Sequence, residues 1–186
     1  MKRIIATLAV AVVAMSAAFS AKAIEDQWNK GTMVVSGTTS FLPGIGGTLS
    51  GDFVLFDTWW KGHFTVGGQI GYRYQAFEVA DKYRTNDLAA AARATYGLNI
   101  TDQFEVHVGL LSGLGDRMWK DVTTKNTGDN LGFYSGSFVG LHFFFTDSFA
   151  ATAEVSYINY LFRSPLEYYN SHNFGPFFNL GVSFKF

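Results

Sequence analysis

A strict two-residue alternation near the C-terminus constrains the fold of this chain more than any other feature. Between Pro176 and the final residue, every second position is apolar: Phe178, Leu180, Val182, Phe184 and Phe186. Small or polar residues fill the gaps, with Phe177 as the exception. Successive side chains of a strand point to opposite faces, so this segment predicts a β-strand with one wholly apolar face.

The N-terminus has the composition of a secretory signal. Lys2 and Arg3 precede an almost unbroken apolar run over 4–19, and Ala21-Lys22-Ala23 has the small residues of a cleavage site. The apolar run is shorter than the roughly 20 residues that a membrane-spanning helix needs. We therefore predict a signal peptide at 1–23 and a mature domain at 24–186, with a retained transmembrane helix as the alternative.

Composition narrows the class of the mature chain. The net charge of −1 argues against a nucleic-acid partner, and the absence of cysteine excludes a disulfide scaffold, a thiolate metal site and a cysteine nucleophile. No second apolar run is long enough for a membrane helix, so a membrane location would require a closed barrel. Aromatic residues make up 17% of the chain beside 20 glycines and 3 prolines, which fits a barrel with aromatic girdles.

Eight alternating segments are separated by connections that are alternately short and long. We predict strands at 31–41, 48–57, 63–77, 88–99, 103–114, 134–145, 148–161 and 174–186. The tight connections at 56–60, 100–104 and 145–149 carry flanking aromatic residues that suit a membrane interface, and the last two contain a Thr-Asp turn signal. The other connections, at 42–47, 79–87, 115–133 and 162–173, are predicted to be extracellular loops.

One segment favours a helix by composition, because 88–94 is rich in alanine. A helix there would leave an odd number of strands, which single-chain bacterial barrels do not use. We therefore predict a strand with Leu88, Ala90 and Ala92 outward and Arg93 inward.

The faces opposite the apolar ones define a predicted polar lumen. Its members are Asp52, Gln69, Arg73, Gln75, Arg93, Glu105, His107, His142, Glu154 and Lys185. An eight-stranded barrel is just wide enough for side chains to fill it. Acidic and basic groups enclosed there should form a salt-bridge network, because an unpaired buried charge is costly. A gated ion path through the same groups is the alternative.

These features together resemble the small eight-stranded outer-membrane β-barrel family, similar in architecture to the membrane domain of outer-membrane protein A. The residues that carry the resemblance are the signal peptide, the eight strands, the Thr-Asp turns and the Gly-Val-Ser-Phe-Lys-Phe end. The resemblance implies an all-β, antiparallel up-and-down transmembrane barrel in the bacterial outer membrane, in contact with lipid and lipopolysaccharide. It also implies insertion by the barrel-assembly machinery, for which the alternating residues from Phe178 to Phe186 resemble the C-terminal signal.

The sequence predicts no catalytic, cofactor or metal site. Barrels that deacylate lipid A place a serine two residues after a histidine, whereas Thr65, Gly109 and Phe144 follow His63, His107 and His142 at that spacing. His107 and His142 could approach each other across adjacent strands, which we interpret as packing of lumen histidines.

The predicted long loops carry the candidates for surface contact. These are aromatic and basic residues of types enriched in binding surfaces and at lipid interfaces: Arg117, Trp119, Lys120, Tyr168 and Tyr169. The sequence therefore predicts a monomeric, non-enzymatic envelope protein with a side-chain-filled lumen. The alternatives are a narrow pore or small hydrophobic-ligand channel, a lipid-modifying enzyme, and a soluble barrel of lipocalin type.

Overall fold

The computed structural model describes residues 28, 30–41, 44–58, 62–77, 83–122, 124–162 and 176–186. Within these residues the chain forms β1 (Met33–Ser40), β2 (Ile45–Thr58), β3 (Gly62–Phe77), β4 (Tyr83–Asn99), β5 (Phe104–Asp121), β6 (Thr127–Thr146), β7 (Phe149–Phe162) and β8 (Pro176–Lys185). Each strand pairs antiparallel with its neighbours in sequence, and β1 pairs with β8. This confirms the predicted all-β, eight-stranded up-and-down barrel. No helix in the described ranges is long and apolar enough to cross a membrane.

Two predictions fall outside the described residues. The signal peptide at 1–23 is one, and the surface-contact candidates Tyr168 and Tyr169 are the other. Both stay predictions.

The strand β8 closes the barrel and confirms the alternation from which it was predicted. It pairs with β1 from Val34↔Lys185 to Ser40↔Asn179. Its apolar face is turned outward, with exposed fractions between 36% at Val182 and 78% at Phe186. Phe177 breaks the sequence pattern because it is an inward residue: it is 1% exposed, and its ring lies 3.5 Å from the Arg73 guanidinium carbon.

The outer surface of the barrel is apolar around its circumference. Large apolar side chains that are more than half exposed occur on six of the eight strands, at Leu49, Ile70, Leu88, Leu110, Leu131 and Leu180. Soluble monomers rarely expose a contiguous apolar surface of this extent. Lipid chains are the environment in which a closed barrel with such a surface is stable.

The alanine-rich segment is part of β4, as predicted. Leu88 and Ala90 are exposed, whereas Ala89, Ala91 and Arg93 are buried. The two-residue alternation decides the structure here, since pairing with β3 and β5 satisfies the backbone on both sides and overrides the helix propensity of alanine.

The third connection is much shorter than predicted, so the placement of Arg117, Trp119 and Lys120 in a loop is wrong. The strand β5 runs to Asp121 and β6 begins at Thr127. Side chains continue to alternate through this region: Arg117 is 6% exposed and Lys120 points outward. The charged residues here do not mark a loop, because they alternate between the lumen and the outer face of a hairpin.

A hydrogen-bonded turn joins these extended strands. The Asp121 carboxylate accepts the Thr124 hydroxyl at 2.6 Å and the Thr124 backbone N–H at 3.2 Å. Lys125 has φ 61°, the left-handed conformation that a tight turn requires.

The tight connections are at the opposite end of the barrel. In the turn after β4, the Thr101 hydroxyl accepts the backbone N–H of Gln103 at 3.3 Å and of Phe104 at 3.1 Å. After β6, the Thr146 hydroxyl accepts the N–H of Ser148 at 3.3 Å. We call this end, which also holds the start of β1 and the end of β8, the turn end, and the opposite end the loop end.

Candidate functional site

Strand register brings polar side chains from several strands into one row across the lumen. His63 of β3 pairs with Gly97, Gly97 with His107, His107 with Gly140, and Gly140 with Glu154 of β7. A bulky polar residue therefore alternates with glycine. A Cβ atom on Gly97 would lie 2.3 Å from the His63 ring, and one on Gly140 would lie 2.4 Å from His107 Nε2. The glycines provide the space that the imidazole rings occupy.

The Glu105 carboxylate lies at the centre of a histidine cluster. Its Oε1 is 3.6 Å from His63 Nε2 and 3.4 Å from His107 Nδ1, and its Oε2 is 3.1 Å from His142 Nδ1. Glu105 is 1% exposed, and the three histidines are 2–8% exposed. Three of the four histidines in the sequence thus face one buried carboxylate. We call these four residues the histidine cluster.

A second polar layer lies next to the histidine cluster on the side toward the loop end. The Arg93 guanidinium donates to Glu154 Oε1 at 2.8 Å and to Gln69 Oε1 at 2.9 Å, and its Nε is 3.4 Å from Asp52 Oδ2. Gln69 in turn donates to the Tyr134 hydroxyl at 2.9 Å. Arg93 therefore bridges the lumen, and Glu154 links this layer to the histidine cluster through His107 Nε2 at 3.3 Å.

Trp28 covers the histidine cluster at the turn end. It precedes β1, is 6% exposed, and stacks on the His63 ring with a centroid separation of 4.2 Å and an interplanar angle of 11°. Its ring also meets Phe144 edge-on at 5.7 Å. The cavity left between Trp28 and Arg93 has a volume of about 20 Å³. A space of this size holds about one water molecule.

Nearer the loop end, the lumen is filled by a buried ion pair and a stacked cation. Arg117 Nε and Nη2 donate to the two carboxylate oxygens of Asp87, both at 2.7 Å, and the two residues are 6% and 1% exposed. Arg73 lies over the Phe177 ring. The lumen thus contains side chains from Trp28 at the turn end to Arg117 at the loop end.

The predicted lumen residues lie in three places along the barrel. The structure places seven of the predicted residues in the two connected polar layers: Asp52, Gln69, Arg93, Glu105, His107, His142 and Glu154. Arg73 and the buried Gln75 lie closer to the loop end. Lys185 is half-buried at the turn end, with its Nζ 5.6 Å from the centre of the Phe144 ring.

Several residues of the site are absent from the sequence-based prediction. His63 lies two residues before the inward Thr65, so the alternation of β3 contains the signal that places it in the lumen. Asp87 and Arg117 fall within predicted loops, and Trp28 lies outside any periodic segment. Trp119 is half-buried on the inward side of β5.

Comparison with known proteins identifies solved structures that share this fold. The sequence matches no protein-family model and no curated protein. Its structure is similar to the N-terminal β-barrel domain of Pseudomonas aeruginosa OprF, with a TM-score of 0.56 at 15% identity over 86% of this chain and 100% of that one. The chain has the fold of the eight-stranded outer-membrane β-barrels. A major outer membrane protein from Thermus thermophilus (TM-score 0.54, 13% identity, 84% and 99% covered) and Ail of Yersinia pestis (0.53, 14%, 86% and 100%) share it.

The closed fold of this outer-membrane barrel and its apolar outer surface both suit a lipid environment. The strand edges are closed by the β1–β8 pairing, which leaves no unpaired edge among the described strands to face lipid. The outward side chains form an apolar surface on every side. The barrel is therefore a bacterial outer-membrane protein.

Proposed function

We propose that this protein is a non-enzymatic structural barrel of the outer membrane, closed by its own side chains, which contributes to envelope integrity. The observation that carries the proposal is the succession of side-chain layers that lie across the lumen of the described barrel. Trp28, the histidine cluster, the Arg93 layer and the Asp87–Arg117 pair follow one another along the axis. The space between the first two layers admits about one water molecule, which is too little for a water-filled path.

The position of the histidines supports a non-enzymatic role. His63, His107 and His142 face the lumen and contact carboxylates, and each is at most 8% exposed. Lipid acyl chains reach the outer face of a barrel, on the other side of its wall. A lipid-modifying enzyme would need its nucleophile and base where the substrate lies.

Contact with lipopolysaccharide is part of the proposal. Arg84 and Lys120 are direct cross-strand neighbours on the outer face near the loop end, and both are exposed. Like charges directly opposite each other destabilise a strand pair, and an anion bound between them would offset this repulsion. Phosphate groups of lipopolysaccharide, in the leaflet at this end, would supply that anion. We further propose that the barrel is monomeric and that the outward residues of β8 are read by the assembly machinery.

Planar-bilayer recording tests the filled lumen. The purified barrel is inserted at neutral pH beside a general porin as the positive control. We expect no reproducible unit conductance. Stable steps of one size that change in the Arg93→Gly variant would overturn the filled lumen and favour a narrow pore. For the envelope role, we expect a deletion strain to gain sensitivity to detergent, restored by the gene in trans; unchanged sensitivity would contradict that role.

A further inference from the structure

We propose that the histidine cluster is a binding site for one divalent transition metal ion, with Zn²⁺ the expected occupant. Glu105, His107 and His142 would supply three ligands, and His63 would complete a four-ligand site. This inference goes beyond the structural role, because it assigns a ligand to the lumen. Neither proposal depends on the other, since a filled barrel is closed with or without a metal.

The distances between the donor atoms fit a coordination sphere. Zn²⁺ binds nitrogen and oxygen ligands at about 2.0–2.1 Å in tetrahedral sites, which places neighbouring ligands about 3.3 Å apart. The Glu105 oxygens lie 3.1, 3.4 and 3.6 Å from the facing nitrogens of His142, His107 and His63. Ligand atoms of Glu105, His107 and His142 all lie within 4.8 Å of one another. Two of the three distances exceed those of ordinary hydrogen bonds.

One nitrogen in the cluster points at the carboxylate without making a hydrogen bond. His107 Nδ1 is buried and has no hydrogen-bond partner among the described residues, although Glu105 Oε1 is only 3.4 Å away. Buried polar atoms in proteins almost always have a partner. A metal ion between the two atoms would satisfy both.

The opposite nitrogen of His107 has the partner that metal-binding histidines usually have. Nε2 faces Glu154 Oε1 at 3.3 Å, and the same oxygen accepts from Arg93 at 2.8 Å. A metal-ligating histidine almost always donates its other N–H to a carboxylate, carbonyl or water, which fixes the tautomer and orients the ring. His107 would therefore present Nδ1 to the metal while Glu154 holds Nε2–H.

The charges of the side chains around the histidine cluster also favour a bound cation. Glu105, Glu154 and Asp52 are buried or nearly buried carboxylates; Asp52 and Glu154 share the Arg93 guanidinium, whereas Glu105 faces the three imidazoles. With neutral imidazoles these four groups carry a net charge of −2, while Lys185 is half-buried at the rim. A divalent cation held by Glu105, His107 and His142 would supply two positive charges beside these groups. Protonation of two imidazoles is the competing source of positive charge. A direct measurement of metal binding distinguishes protonation from a bound cation.

Trp28 gives the site a spectroscopic reporter. It stacks on His63 and closes the cluster toward the turn end. A paramagnetic ion such as Cu²⁺ bound beside it should quench its fluorescence, which is one of four tryptophan signals in the chain. Quenching should be absent in a Trp28→Phe variant that still binds metal.

The test uses the full barrel in detergent, stripped with a chelator and titrated with Co²⁺ and then Zn²⁺. We expect one Co²⁺ per chain with the visible absorption of a tetrahedral complex, displaced by Zn²⁺. His107→Gln and His142→Gln should abolish this absorption. Glu154→Gln should weaken binding by about 10–100-fold, the usual effect of losing an outer partner. His172→Gln, which changes the fourth histidine of the sequence, is the matched control and should bind as the wild type does.

Folding is checked for every variant by heat-modifiable gel mobility. If a histidine variant does not fold, the wild type decides the question alone: its urea midpoint should rise on adding Zn²⁺ and fall back with chelator. The proposal is overturned if the folded wild type retains no metal and shows no Zn²⁺-dependent midpoint. It is also overturned if binding survives both His107→Gln and His142→Gln, or disappears in His172→Gln.

Discussion

Removing one partner of the Asp87–Arg117 pair should destabilise the barrel strongly. Two parallel hydrogen bonds of 2.7 Å join the side chains, and Asp87 is 1% exposed. In Asp87→Ala the guanidinium would stay in the lumen without its carboxylate. Breaking a buried ion pair in this way costs about 3–5 kcal/mol. Because each 1.4 kcal/mol is a factor of ten, the ratio of folded to unfolded barrel should fall by roughly 10²–10⁴.

The assay is reversible urea unfolding in lipid vesicles, followed by tryptophan fluorescence and by gel mobility. The variants are Asp87→Ala, Arg117→Met and the double variant. The double variant removes both charges, so its loss of stability should be smaller than the sum of the single losses by about 0.5–3 kcal/mol. Lys30→Met, which removes an exposed basic residue before β1, is the control and should change stability by less than about 0.5 kcal/mol.

Two results would refute this reasoning. One is an Asp87→Ala barrel as stable as the Lys30→Met control, which would mean that the guanidinium finds water or another acceptor. The other is simple additivity in the double variant, which would mean that the two side chains do not depend on each other in the folded state. Either result would mean that the pairing of Asp87 with Arg117 does not stabilise the barrel.

Two further predictions test the glycine row and the lipid-facing surface by the same unfolding assay. Gly97→Ala places a methyl group 2.3 Å from the His63 ring and should lower the free energy of unfolding by about 1–3 kcal/mol. Gly37→Ala, where a Cβ atom has open space, should be nearly neutral. Equal effects of the two substitutions would contradict the packing argument. Leu110 lies six residues after the first residue of β5, and Leu131 lies near the loop end; both are exposed. In a bilayer, Leu110→Lys should lower the free energy of unfolding by about 2–4 kcal/mol and Leu131→Lys by about 0–1 kcal/mol. The reverse order would contradict the membrane position of the barrel.

Alternation makes most of the fold predictable from sequence. A two-residue period fixes which face of a strand is apolar, so the inward position of Arg93 and Glu105 follows from their neighbours alone. The same rule extends β5 through Arg117, but the charges there fit a loop equally well in the sequence. Hydrophobicity identifies a strand only where it lies in lipid, whereas β5 and β6 continue pairing beyond that point.

The composition of the site is less predictable than the faces of its strands. Which lumen residues touch depends on the stagger between strands, and stagger is set by pairing across the whole barrel. The sequence therefore predicts a polar lumen but does not predict that His63 shares Glu105 with His107 and His142. The two-residue alternation does not predict the lumen position of Trp28, because a residue before the first strand reaches the lumen only through tertiary packing.

The narrowness of the lumen explains both the closure of the barrel and the histidine cluster. Eight strands leave an interior that side chains fill, so any ionisable residue pointing inward must find a partner at close range. Pairing an imidazole with a glycine on the next strand lets histidines lean toward one carboxylate without forcing the strands apart. An arrangement of this kind packs the interior tightly, and it also gathers nitrogen and oxygen donors around a common point. With neutral histidines the carboxylates would outnumber Arg93, so a further positive charge, from protonated imidazoles or from a bound cation, is needed to complete the electrostatics of this layer. A bound divalent ion would supply that charge. A metal-binding measurement therefore distinguishes most directly between a lumen that is only filled by side chains and one that also binds an ion.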